Sequence, residues 1–136
     1  MARRVTLYAL LGALVLAAAG CGGSGTKPYT AKGSAACFAK SFTHVTTDPV
    51  KVGFIAGFAD NGGLRATTST GNVLTVAFAG DATSALSTEQ AFRNHAPARL
   101  RPRMNDIMES QANAVLVWTV SPTPTQLAAA EGCLHS

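Results

Sequence analysis

Leu64-Arg65-Ala66-Thr67-Thr68-Ser69-Thr70-Gly71-Asn72-Val73-Leu74-Thr75-Val76-Ala77-Phe78-Ala79 is the stretch that decides the fold class. Its first arm is rich in Thr, and its second alternates Leu74, Val76 and Phe78 on one face. Gly71-Asn72 between them predicts a two-residue primed turn joining strands over 64–70 and 73–79. Towards the C-terminus, Asp81 predicts a helix cap. The helix ends before Pro97 and carries Ala82, Ala85, Leu86, Glu89 and Phe92 as a mixed stripe. A second helical piece starts at Met104 and carries Ile107 and Met108. Val115–Val120 is nearly all apolar, as a covered central strand would be. Thr123-Pro124-Thr125-Gln126 is a capping box with Pro at the first helical position, opening a last helix with Leu127, Ala130 and Leu134. Towards the N-terminus, Asn61-Gly62-Gly63 predicts a helix stop. Asp48 and Pro49 predict the matching start. Between them Val50, Phe54 and Phe58 recur at i, i+4, i+8 as an apolar stripe. Thr43–Thr47 is a short β-prone run. Ser34 is placed to cap a helix through Cys37 and Phe38 to about Phe42.

The order is α-β-α-β-β-α-β-α, an α+β pattern whose middle is βαββαβ. It resembles the ferredoxin-like sandwich, here with extra N- and C-terminal helices joined by a disulfide. In that plan the first and last strands are antiparallel neighbours, which brings the flanking helices, and with them Cys37 and Cys133, to one end of the sheet. The simpler alternative is a three-stranded antiparallel sheet with helices on one face. The disulfide reading rests on compartment and count. An exported chain lives where disulfides persist, and these two cysteines remain once Cys21 is set aside. Two free thiols or a metal pair are the alternatives, but neither Cys has a His or Cys neighbour at ligand spacing.

The whole chain has 136 residues, 47% apolar and 13% charged. That length allows one domain and excludes a multidomain enzyme or a long repeat array. The apolar excess sits at the start. Arg3 and Arg4 precede Val5–Ala19, a run without charge that is short for a membrane-crossing helix, which needs about 20 residues, and suits a signal sequence. Leu16-Ala17-Ala18-Ala19-Gly20-Cys21 then resembles the signal of bacterial lipoproteins. Ala18 stands where that family prefers a branched apolar residue. The resemblance covers residues 1–21. It implies cleavage after residue 20, acyl chains on Cys21, and a lipid anchor on the extracytoplasmic face of the cell membrane. Residues 21–33 are then the lipidated Cys and a flexible tether rich in Gly, Ser and Thr, and 34–136 a single α+β domain.

Without Arg3 and Arg4 the chain keeps nine Lys and Arg against seven Asp and Glu. That balance gives a nucleic-acid partner no support. Arg93, His95, Arg99, Arg101 and Arg103 form the one charge cluster, a candidate contact for an anionic envelope polymer or headgroup because guanidinium forks match oxyanions. A solvated connection between Pro97 and Pro102 is the plainer account. His44, His95 and His135 lack metal-site spacing, so no metal is expected. No G-x-S-x-G or S-x-x-K occurs, and Asp81, Asp106 and Glu109 read as a cap and a solvated helix face. Asp60 completes the set of carboxylates weighed for a small envelope hydrolase. Gly53 and Gly57 read as a close-packing pair, and Trp118 as core. No catalytic residue and no cofactor are assigned. The reading is a membrane-anchored, non-catalytic binding or protein-interaction module of the envelope. Its alternative is a binder of a small apolar or anionic ligand. The protein extracted from membranes is expected to carry acyl mass on Cys21. Intact-mass analysis showing a bare N-terminus would refute this.

Overall fold

Residues 26–136 are described by a computed structural model. The expected signal sequence and Cys21 lie outside the described residues. Strands β2 (Gly63–Thr67) and β3 (Val73–Phe78) form the expected hairpin, with Leu64 opposite Val76 and Ala66 opposite Leu74. Its loop is longer than two residues: Thr67 pairs with Val73, leaving Thr68–Asn72 between. The reason is Asn72, whose side chain is needed indoors. Its Oδ1 accepts from the Val120 N–H at 3.1 Å and the Thr119 hydroxyl at 2.9 Å, and its Nδ2 donates to the Val120 carbonyl at 3.0 Å. A turn residue thereby clasps the hairpin to the chain leaving the neighbouring strand.

The sheet has five strands in the order β1 (Thr43–Thr46), β2, β3, β5 (Ala114–Trp118), β4 (Met108–Gln111), every pair antiparallel. This corrects the ferredoxin-like expectation. The last strand lies beside β3, not beside β1, and β1 lies beside β2. It also exceeds the three-stranded alternative. The segment between β1 and β2 explains the difference. One helix over 49–60 could run the length of the sheet and return the chain to the far end. Instead the segment breaks into α2 (Pro49–Val52) and α3 (Phe54–Gly57), each a single turn. Gly53 between them sits at φ +98°, open to Gly and costly for other residues. Each helix rises only about 6 Å, so the chain re-enters the sheet at the end it left. Gly57 allows the fold-back, since a Cβ there would collide with the Pro49 carbonyl.

β4 was not expected at all. The helix opening at Met104 lasts one turn, α5 (Met104–Ile107), after a 3-10 turn over Arg101–Arg103. Met108 then begins an edge strand that reaches β5 through Ala112-Asn113. That two-residue loop makes a tight hairpin, with Gln111 paired to Ala114. Ala112 takes a positive φ of 51°, a position where Gly or Asn would have announced a turn.

Helices cover both faces. Alternate residues along a strand face opposite ways, so Glu109 and Ser110 of β4 report on different layers. Glu109 lies near Glu131 of α6 (Pro124–Glu131), while the Ser110 hydroxyl donates to Glu89 of α4 (Ala82–His95). α6 and α1 (Ala31–Ser41) cover one face, where Phe38 and Phe42 meet Leu64, Leu74, Val76, Leu116 and Trp118 in the core. Phe42 and Trp118 rings are 6.5 Å apart, placing Trp118 in the core as expected. α2, α3 and α4 lie over the other face, where Val52 and Ala56 pack on Ala77.

The caps at Asp48, Asp81 and Thr123 form as read, including the Thr123–Gln126 capping box. Ser34 does not cap α1. Thr30 does, accepting from the Gly33 N–H at 2.9 Å, so the folded domain starts before residue 34. Ser34 is buried one turn in. Its hydroxyl accepts the His135 N–H at 3.0 Å and lies 3.2 Å from the His135 carbonyl. One turn further along, Cys37 and Cys133 form the expected disulfide, with Cα atoms 5.2 Å apart across 96 residues. Replacing both cysteines by Ser should lower stability by about 2–5 kcal/mol. Thermal unfolding of the variant should show a clearly lower midpoint, and thiol titration of unreduced wild type should find neither cysteine free.

Candidate functional site

The second face is the less completely covered one. α2 and α3 are too short to reach α4 along its whole length, and a groove of about 440 Å³ opens between them. Phe54 and Ile55 form one wall, Phe92 of α4 the other, and Val73 and Thr75 the floor. The floor follows from strand alternation. Leu64, Ala66, Leu74 and Val76 turn to the disulfide-linked helices, so Arg65, Val73 and Thr75 turn here.

Arg65 and His95 also line the groove, and no carboxylate or cysteine does. Both are exposed. The Arg65 guanidinium makes one long contact, 3.5 Å to the Lys51 carbonyl, which leaves most of its donors free. Ile55, Phe92 and His95 also border a smaller cavity of about 150 Å³ running to Pro97, Leu100, Met104 and Ile107. Apolar walls with a guanidinium and an imidazole at the rim suit an amphipathic anion. Sequence reasoning missed Arg65. Its signal was an isolated cation between two residues destined for the core, readable only once the strand's two faces are assigned.

The arginine cluster does not converge. Arg93 donates to Asn105 Oδ1 at 2.8 Å, and Arg101 Nε donates to the Ala96 carbonyl at 3.0 Å. Both tie the irregular connection after α4 to its neighbours. Arg99 and Arg103 lie exposed along that connection. The three histidines sit apart. His44 occupies the β1 bulge at φ 50°, His95 the groove, and His135 the seam beside Ser34. Among the described residues no three His, Cys, Asp or Glu side chains gather to hold a metal ion.

The carboxylates do not share a cavity wall with the groove. Asp81 caps α4, and hydrogen bonds from Ser84, backbone first, hold its carboxyl below the usual range. Asp60 lies beside Gly80 at the end of the sheet, and Asp106 is exposed on α5. Glu109 is held above the usual glutamate range, by partial burial first and then by the charge of Glu131.

A second cleft, about 470 Å³, lies at the end of the sheet where the chain enters, between Thr26–Tyr29, Gly80–Ala82 and Leu134–Ser136. Its lining mixes Tyr29 and Leu134 with Lys27, Asp81 and His135. Asn113 builds that end. Its side chain accepts the Tyr29 N–H at 2.8 Å and donates to the Tyr29 and Ala79 carbonyls at 2.9 and 2.7 Å. Every polar atom of that amide is therefore spent on architecture.

Comparison of the chain with protein-family models, with curated proteins and with solved structures returns no match. No helix among the described residues is long and apolar enough to cross a membrane.

The Glu109–Glu131 pair gives a pH test. A carboxyl raised in the folded state contributes stability that is present below its unfolded pKa and lost as pH rises through the folded value. Glu109→Gln should therefore raise stability at neutral pH, by at most about 1 kcal/mol for so exposed a pair. The gain should shrink towards zero near about pH 3, where Glu109 is itself protonated. Denaturant melts at both pH values check this. A gain independent of pH would refute the charge assignment.

Proposed function

We propose that the protein is a lipid-anchored module on the extracytoplasmic face of the cell membrane that binds a small amphiphile without transforming it. The groove carries the reading. It exceeds the roughly 300 Å³ at which ligand sites begin, and its walls combine Phe54, Ile55 and Phe92 with the cationic side chain of Arg65. The groove residues supply a surface for holding, since Arg65 stabilises negative charge and the aromatic walls shed water around an apolar chain. The anchor follows from the lipoprotein-like run ending at Cys21. Arg99 and Arg103, exposed beyond the groove's His95 end, offer an anionic envelope polymer or a protein partner a further contact.

A dansylated medium-chain fatty acid tests the groove directly. Wild-type protein should bind it saturably at one site, with blue-shifted emission. Thr75→Trp, which fills the floor, should abolish the signal. Arg65→Ala should weaken binding roughly threefold to tenfold while leaving the apolar contact. A linear, unsaturable titration, or equal binding by Thr75→Trp, would overturn the assignment.

A further inference from the structure

The apolar stripe Val50, Phe54 and Phe58 faces solvent. The three side chains are 90%, 76% and 79% exposed, while Val52 and Ala56 do the packing. The Phe54 and Phe58 rings pack at a 55° tilt with centroids 5.0 Å apart and form a ridge on α3 and the residue after it. Three large apolar groups held outward at full hydration cost are a contact surface awaiting an occupant.

We propose that this occupant is the bilayer itself, with Phe54 and Phe58 seated in the membrane interface beside the acyl anchor. The inference rests on the lipid-anchored reading of Cys21. Chain length gives the reason. Cys21 is five residues before Thr26, the first described residue, and five residues span no more than about 18 Å in any conformation. The end of the sheet at which the chain enters is thus confined near the lipid surface. Phe58 belongs to that end. The Ala31 N–H donates to the Asn61 carbonyl at 3.0 Å, and Phe58 precedes Asn61 by three residues, at most about 11 Å of chain. Aromatic and aliphatic side chains on a surface helix settle about 5–10 Å into the headgroup boundary. Charges at this end are mixed, with Lys27 and Lys32 against Asp60 and Asp81, and Lys51 on α2 pairs with Asp48 at 3.6 Å. The contact is therefore apolar, and salt should not release it. Because Phe54 also walls the groove, docking would bring that wall of the groove to the lipid surface.

The test uses full-length, membrane-extracted protein reconstituted into phosphatidylcholine–phosphatidylglycerol vesicles. Phe54→Trp and Phe58→Trp place a reporter on the ridge. Both positions are exposed, so folding is spared, and the buried Trp118 supplies a constant background measured in wild type. Each introduced indole should shift to shorter wavelength on reconstitution. Brominated phosphatidylcholine should quench most of its emission, equally at low and high salt. Intact mass separates the two layers of the argument. An acylated Cys21 with a water-like, unquenched indole overturns the docking and leaves the anchor. A bare Cys21 overturns both. A blue shift that grows with protein concentration in detergent, without bromolipid quenching, assigns the ridge to a second copy of the chain and overturns the docking too.

Discussion

The seam between α1 and α6 governs the structure. Cys37 and Cys133 close a covalent ring around nearly the whole domain. Ser34 repeats the connection one turn earlier through both backbone groups of His135, and the Thr30 N–H donates to the same carbonyl at 2.8 Å. α1 has 11 residues and α6 only eight. Joined, they form one lid over the face that holds Phe38, Leu64, Leu74, Leu116 and Trp118. A domain of this size buries a modest share of its surface, and opening the lid would expose the largest side chains it has. Restricting the unfolded chain by a loop this long therefore matters more here than it would in a larger protein.

The same seam shows why strand order escaped the sequence while the disulfide did not. The pairing of Cys37 with Cys133 followed from compartment and count. Its agreement with a ferredoxin-like plan was not diagnostic, because any topology that puts the first and last helices on one face brings the two cysteines together. What decides the order is Gly53. A helix continuous through that position would cross the sheet, and a break there returns the chain beside β1. Gly53 read as half of a packing pair because nothing local distinguishes a helical Gly from one at positive φ. β4 was hidden for a related reason. Its turn places Ala112 in a left-handed conformation that sequence assigns to Gly or Asn, and Met104–Ile107 supplies just enough helical pattern to claim Met108.

Capping fared better. Asp48, Asp81 and the Thr123–Gln126 box act within four residues of their own position, so tertiary structure had little room to overrule them. Asn72 and Asn113 show the opposite case. Both sit in loops, where Asn is ordinary, and both are buried with their amides bonded to chain 48 and 84 residues away. A residue type common in turns for local reasons carries no mark of a distant partner.

The i, i+4, i+8 spacing of Val50, Phe54 and Phe58 marks the side of the segment that the protein leaves uncovered. A hydrophobic period shows that one side of a helix differs from the other. It does not say which side the protein covers. Here the smaller residues, Val52 and Ala56, face the sheet because two single-turn helices must lie close to it, and bulk at those positions would lift them off. The large residues are left outside by the same constraint. The two faces of the sheet consequently differ in kind. One is sealed by helices cross-linked to each other. The other carries short helices that stop before α4, exposing Arg65, Val73 and Thr75 between them. Stability concentrated in the sealed face leaves the second free to stay open.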